Sequence, residues 1–406
     1  MNKVDQFLSG GDAVMLRKEL RMSDARADGS SCVSVAHPAV MLVASYAPSL
    51  WLFRSHLIVE LRGRGYRVLA CAPRHDGAQD KMRALGAEFI ALGPHRTSMN
   101  PVHDLLYFWK LLRLCYRVRP AAIISYTAKP VVWGSLAGRI AAVENVVAMI
   151  TGLGFAFSVT ETDRSMVSVI IERLYRIALR RCDSIVFQNG DDQREFTKRR
   201  LIGVASKAFV VNGSGVDLLK FRQTPLPRAP IFLIIARMLR EKGVKEFCEA
   251  AAEVKRVHPQ ACFRLVGWFD TDNPRAIARA ELDAWCANGV AEYRGSREDV
   301  RDEMAQCRVY VLPSYREGTP RTVLEAMAMG RPVITSDAPG CRETVRHGWN
   351  GYLVPVRDSL ALAEAMKRLL ADPTLAEQMG ANSRLLAESR YDARQVAEAV
   401  IGGARL

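Results

Sequence analysis

A chain of 406 residues, 49% of them hydrophobic, has room for two α/β domains and too much apolar content to stay disordered. No apolar run reaches the roughly 18–20 residues that span a bilayer. The nine cysteines form no Cys-x-x-Cys pair and sit near no histidine at ligand spacing, which excludes a disulfide scaffold or a zinc centre as the organising feature. The net charge of +14 is uneven: 29 Lys and Arg stand against 19 Asp and Glu up to Asp217, and 28 against 24 beyond it. A basic first half points to an anionic partner there, a membrane surface, a lipid phosphate or a nucleic acid, unless it is only the background of a basic proteome.

Residues 1–37 are polar and lack sustained periodicity, so they read as a loose tail with a short helix over 13–20. Asp5, Asp12, Arg17, Lys18 and Glu19 break up any signal-peptide core, and a cytoplasmic location is expected. A regular pattern then begins. It predicts strands over 40–45, 66–72, 88–92, 121–125, 146–149, 184–188 and 209–212. Helices are predicted between them over 53–64, 103–119, 130–142 and 164–181. Strands alternating with helices of ten or more residues predict a parallel, doubly wound sheet over 38–217. Residues 218–229 carry Pro225 and Pro227 with no apolar stripe and read as a linker. The alternation restarts over 230–389. It has strands at 231–236, 263–266, 290–293, 309–312 and 332–335, with helices at 244–257, 274–287, 298–307, 320–329, 359–371 and 375–389. A last helix covers 390–406. The fold class is therefore α/β, two Rossmann-like doubly wound domains facing across a cleft, where ligands meet the carboxyl ends of strands.

The most informative stretch follows the strand at 309–312. It reads Pro313-Ser-Tyr-Arg-Glu-Gly-Thr-Pro320 and continues into a helix. Thr319 and Pro320 are helix-start residues, and the helix amino end offers N–H groups and partial positive charge to an anion. Gly318 lets a ligand approach the backbone. Glu317 lies in the loop and Glu325 about two helical turns on, so their carboxylates can receive hydroxyls from two parts of one ligand. A second cluster, Ala236-Arg-Met-Leu-Arg-Glu-Lys-Gly243, places Arg237 and Lys242 between a strand and the next helix. An Arg fork and a Lys point charge suit a diphosphate. Any one of these is an ordinary cap or solvated turn; the combination at these spacings is specific.

Taken together, Arg237 with Lys242, the Glu-x7-Glu of Glu317 and Glu325, Asn212-Gly-Ser-Gly-Val-Asp217 and Asn350-Gly-Tyr-Leu-Val-Pro355 resemble glycosyltransferase family 4, of the GT-B fold. The resemblance covers about residues 40–390. It implies a retaining transferase in which Arg237 and Lys242 hold a donor diphosphate and Glu325 binds ribose. Glu317, with the backbone around Gly318, Thr319 and Pro320, would hold the donor sugar. In the first domain, Ser125-Tyr-Thr-Ala-Lys-Pro130, Thr151-Gly-Leu-Gly-Phe155 and Arg96-Thr-Ser-Met-Asn-Pro101 resemble members that extend undecaprenyl-diphosphate-linked saccharides. Tyr126, Thr127, Lys129, Gly152 and Gly154 then become candidate acceptor contacts. Many members carry a histidine near Tyr126; this chain has none there, so no general base is assigned.

The expected reaction moves sugar from a nucleoside-diphosphate sugar, a UDP-sugar foremost, to a lipid-linked saccharide in surface-glycan biosynthesis. No cofactor, metal or nucleic-acid partner is expected. A UDP-sugar epimerase of similar layout and a non-catalytic sugar-nucleotide binder are the alternatives. The helix at 103–119 mixes Leu105, Leu106, Tyr107, Phe108, Trp109, Leu111, Leu112 and Leu114 with Lys110, Arg113 and Arg117. The segment 173–181 is similarly basic and apolar, and Trp51, Leu52 and Phe53 add a wedge. These features predict peripheral attachment to the anionic cytoplasmic face of the inner membrane.

Overall fold

The structure, a computed structural model, describes residues 37–94, 100–152, 166–202, 207–270, 273 and 275–406. Of the tail expected over 1–37, residues 1–36 lie outside the described residues, as do Arg96 and Gly154. Contacts divide the chain into two units, residues 1–211 with 397–406, and residues 212–396.

The first unit is built on seven strands: β1 (Ala39–Val43), β2 (Arg67–Ala72), β3 (Glu88–Ala91), β4 (Ala122–Tyr126), β5 (Asn145–Ile150), β6 (Ser184–Phe187) and β7 (Ala208–Val210). They run parallel in the order β3-β2-β1-β4-β5-β6-β7. β1 reads Ala-Val-Met-Leu-Val and is buried throughout, as a strand covered on both faces must be. The helix Pro101–Val118 starts where its residues dictate: Pro101 occupies the first turn and the Asn100 side chain accepts from the Val102 amide at 2.9 Å. It buries Tyr107, Leu111, Leu112, Leu114 and Cys115 against the sheet.

The second unit has β8 (Ile231–Ile235), β9 (Cys262–Val266), β10 (Glu292–Tyr293), β11 (Val309–Leu312), β12 (Val333–Ser336) and β13 (Gly351–Val354), in the parallel order β10-β9-β8-β11-β12-β13. Phe232 and Phe263 stack at 5.1 Å between ring centroids at its centre. Each such side chain contributes about 1.5–3 kcal/mol through burial. In both sheets the strand order reverses beside the first strand, between β1 and β4 and between β8 and β11, and crevices for ligands form at such points.

Several elements depart from expectation. The helix predicted over 53–64 is two, Pro48–Phe53 and Ser55–Gly63, with Arg54 between them. Two helices had no apolar stripe to announce them: Ala78–Ala84 buries only Ala78 and Met82, and Gly190–Lys198 only Asp192 and Phe196. The segment read as a linker is stitched to the second unit. Phe221 is part of that core, and the wholly buried Arg331 donates to the Thr224 carbonyl (2.8 Å) and hydroxyl (2.6 Å). Arg308 likewise donates to the Pro227 carbonyl at 2.6 Å. The chain passes from one unit to the other at Val211–Asn212 and returns within the last helix, Ala393–Ala404. All eight described cysteines are free, and burial pushes thiols such as Cys307 up to about 12.

Candidate functional site

β8 and β11 are neighbours, so the loops leaving their carboxyl ends emerge side by side. The first loop carries Arg237 and then the 3-10 turn Arg240–Lys242; the second carries residues 313–319. They are sewn together by backbone and side chain. The Tyr315 amide and the Ser314 hydroxyl both donate to the Glu241 carbonyl, at 2.9 and 3.0 Å. Gly243 has φ +72, and a Cβ there would stand 2.2 Å from the Pro313 carbonyl oxygen, so only glycine permits this approach.

Within that frame the Lys242 ammonium donates to Glu317 Oε1, which also receives the Ser314 hydroxyl at 2.8 Å. The two residues stand 75 positions apart in sequence and meet as an ion pair. Arg237 pairs with Asp270, which follows β9, at 3.1 Å. Gly318 and Thr319 lead into the helix Arg321–Ala328. Pro320 is the N-cap and not the first helical residue, and the Thr319 hydroxyl donates to the Gly318 carbonyl at 2.9 Å instead of capping the helix. That helix abuts the end of β8, where the Thr322 hydroxyl donates to the Ile235 carbonyl at 3.4 Å.

Glu325 is only 6% exposed, and Arg321 one turn earlier donates to its Oε1 at 2.7 Å. Burial pushes its carboxyl above the ordinary carboxylate value, against the opposing pull of Arg321 and Lys220. It is not a solvated helix-face carboxylate.

Two further sequence motifs make contacts within the second unit. In Asn212-Gly-Ser-Gly-Val-Asp217, Gly213 (φ +66) lies where a Cβ would be 2.7 Å from Thr319 Cβ. Val216 exchanges backbone hydrogen bonds with Tyr391 and Ala393, at 2.7 and 3.1 Å. In the Asn350 motif, the buried amide of Asn350 accepts from the Arg346 amide at 2.7 Å and donates to the Thr344 carbonyl at 3.2 Å, anchoring the start of β13.

In the first unit, Ser45 after β1 and Thr127 after β4 share a hydrogen bond of 2.7 Å at the point of strand-order reversal. Thr127 holds φ +69 with ψ 157, a conformation costly for a β-branched residue and typical of functional sites. Two candidate acceptor contacts have partners within the protein. Tyr126 is 2% exposed, with its hydroxyl 3.0 Å from that of Ser49 and Arg54 over its ring, and burial pushes it up to about 12. Lys129 donates to Asp104 at 2.6 Å. Gly152 follows β5 with φ +130.

The residues that the motifs missed are Asp270, Ser314, Arg321 and Asp104, together with Ser45, Arg74 and His75. The last three line a cavity of about 250 Å³ at the carboxyl ends of β1 and β2. Only Arg321 had a legible signal, its four-residue spacing from Glu325. A larger cavity of about 420 Å³ lies by Thr224, Gly330 and Glu377, at the amino end of β12, away from all of these groups. Among the described residues no three His, Cys, Asp or Glu gather to hold a metal, and no helix is long and apolar enough to cross a membrane.

The chain resembles known proteins. Residues 229–372 match the family model described as glycosyl transferases group 1, and residues 40–189 the one described as glycosyl transferase 4-like. The chain is 30% identical over 349 residues to the N,N'-diacetylbacillosaminyl-diphospho-undecaprenol alpha-1,3-N-acetylgalactosaminyltransferase of Campylobacter jejuni, covering 82% of this chain and 90% of that one. It is 25% identical over 317 residues to the UDP-Gal:alpha-D-GlcNAc-diphosphoundecaprenol alpha-1,3-galactosyltransferase of Escherichia coli, covering 75% and 79%. Among solved structures, Anabaena HepE in complex with UDP superposes with a TM-score of 0.73 at 18% identity, over 90% of this chain and 98% of that one. That likeness is one of fold.

Proposed function

The chain belongs to the group 1 and 4-like glycosyltransferases and has their GT-B fold, and from that membership we propose that it transfers a sugar from a UDP-sugar to an undecaprenyl-diphosphate-linked saccharide with retention of anomeric configuration. The observation that carries this reading is the meeting of Lys242 with Glu317 between the loops after β8 and β11, the first of which also carries Arg237 while the second leads into the helix bearing Glu325. The names of the two bacterial relatives support the acceptor class, and the UDP complex of the structural neighbour supports the base.

In the proposed reaction the bond between anomeric carbon and β-phosphate oxygen breaks, and the acceptor hydroxyl oxygen takes the carbon on the same face. Negative charge grows on the departing diphosphate. Arg237, Lys242 and the amino end of the helix Arg321–Ala328 stabilise it electrostatically, which makes a metal ion unnecessary. With no side chain assigned as base, the acceptor proton passes to the departing phosphate, and no carboxylate nucleophile is required, unlike in retaining glycosidases.

The acceptor is lipid-linked, and we place the first unit on an anionic membrane. The helices Pro101–Val118, Ala128–Ile140 and Met166–Leu179 lie side by side. They expose Val102, Leu105, Leu106, Trp109, Tyr116, Ile140, Ile170 and Ile177 beside the exposed Lys110, Arg113, Arg117, Arg173 and Arg180. The first of these helices therefore has two apolar faces, one on the sheet and one outward. At about 1 kcal/mol per basic residue, changing Lys110, Arg113 and Arg117 together to Ser should weaken binding to anionic vesicles roughly a hundredfold. Co-sedimentation equal to wild type would remove this surface from the reading.

The deciding experiment incubates the protein with UDP-, GDP- and dTDP-sugars and lipid-linked acceptors, with and without EDTA, and reads products by mass and by anomeric coupling in NMR. Retained configuration and chelator resistance are expected. Inverted product, dependence on added magnesium or manganese, or epimerised free donor without transfer would overturn it.

A further inference from the structure

Tyr315 stands two residues before Glu317 and is given no role by the sequence pattern. Its amide donates to the Glu241 carbonyl at 2.9 Å and its hydroxyl to Glu246 Oε1 at 2.5 Å. Glu246 is in the first turn of the helix Val244–Val257 and only 7% exposed; its other oxygen has no hydrogen-bond partner among the described residues. On the ring's face lies Arg357, from the turn after β13, with its guanidinium carbon 4.8 Å from the centroid. One phenol thus joins segments leaving three strands, β8, β11 and β13. Burial, followed by the hydrogen bond to Glu246, pushes the hydroxyl up to about 12, so it stays a donor at neutral pH.

As mere packing this is a poor arrangement. A buried carboxylate with a half-satisfied oxygen is less stable than an apolar pair of the same shape. What the bond does supply is direction. The loop 313–319 carries Glu317 and Gly318, and Glu317 reaches Lys242 only while that loop stays seated on the turn Arg240–Lys242.

We infer that Tyr315 is a positioning residue for the donor sugar: through Glu246 it fixes the loop that presents Glu317 and Gly318, and so sets turnover more than nucleotide affinity. This rests on the reading of the second unit as the donor site. Misplacing a reacting group by about 1 Å can cost on the order of a hundredfold in rate. Tyr315→Phe keeps the ring beneath Arg357 and deletes the hydroxyl. It should lower kcat roughly ten- to a hundredfold while UDP alone, held by Arg237, Lys242 and Glu325 on that reading, binds within about twofold of wild type.

A second variant separates positioning from stability. Tyr315→Phe with Glu246→Leu replaces both partners by apolar groups, so melting should recover while kcat does not. Glu246→Gln keeps an acceptor oxygen for the phenol and should restore most of the rate lost in Glu246→Ala. The measurements are calorimetry with UDP, thermal melting, and kcat with the sugar nucleotide that wild type consumes. Wild-type kcat in Tyr315→Phe, or joint recovery of melting and kcat in the double variant, would overturn the inference. Should Tyr315→Phe not fold, the double variant decides alone. A folded wild type that consumes no sugar nucleotide would instead sink the functional reading beneath it.

Discussion

Replacing Glu325 is expected to have opposite effects on stability and on ligand affinity. Its carboxyl is buried, and burial raises it above the ordinary value of 4.5 against the pull of Arg321 and Lys220. The folded protein therefore holds this proton more tightly than the unfolded chain. Stability is lost as pH rises from 4.5 through the raised folded value, and the full cost is present above it. Gln carries no charge, and its side-chain oxygen still accepts from Arg321, which now reaches Glu325 at 2.7 Å. The Gln variant should thus melt higher than wild type at neutral pH, and the two should converge on the acid side of 4.5. Binding moves the other way. A hydrogen bond to a charged group is worth about 1.5–3 kcal/mol, against about 0.5–1.5 for a neutral one. If Glu325 accepts ribose hydroxyls, Glu325→Ala should weaken UDP roughly ten- to a hundredfold, and Gln by a lesser part of that. Melting across pH and calorimetry with UDP read the two effects separately. Unchanged UDP affinity in a folded Ala variant, or a Gln variant that melts below wild type at neutral pH, would refute the reasoning.

Gly340 has φ +79, and a Cβ there would stand 2.2 Å from the Glu317 carbonyl oxygen and 2.6 Å from that of Gly318. Gly340→Ala should cost about 1–3 kcal/mol in a melt and at least tenfold in donor turnover; wild-type kinetics would show that the loop tolerates displacement. Thr127→Gly relieves a backbone conformation costing about 1–3 kcal/mol but gives up the Ser45 bond and adds unfolded-state freedom, so it should melt near wild type. Thr127→Ala keeps the strain and loses the bond, and should melt below both; equal melting of the two variants would mean that φ +69 is not strained.

The alternation of strand and helix was legible because parallel strands buried on both faces are short apolar runs, as in Ile231–Ile235, while the long helices carry a clear stripe. Elements escaped notice where tertiary contacts replaced that signal. The helix Gly190–Lys198 is almost wholly polar and is specified by its cap, Asn189 accepting from the Asp192 amide at 2.7 Å. Residues 218–229 have the composition of a linker, yet they are held by Arg308, Arg331 and Arg384, arginines 80 to 160 or so positions away that no local pattern connects to them.

For the site, spacing singled out the candidate residues and concealed their resting partners. Lys242 with Glu317 pairs two motif residues, but Arg237 with Asp270 and Lys129 with Asp104 each join a motif residue to one with no signature. The reason is electrostatic. A half-buried charge in a crevice costs several kcal/mol unless something compensates it, so each cation here has a carboxylate within the protein. In the proposed reaction a diphosphate entering beside Lys242 exchanges one anionic partner for another, and the net gain is smaller than a count of new contacts suggests. It also frees the Glu317 carboxylate, which can turn its acceptor oxygens to sugar hydroxyls only once the ammonium has moved to phosphate. On the proposed reading, diphosphate and sugar recognition are coupled through one ion pair, so Lys242→Met should weaken UDP and UDP-sugar by different factors. Equal factors in calorimetry would mean that the two halves of the donor are recognised independently.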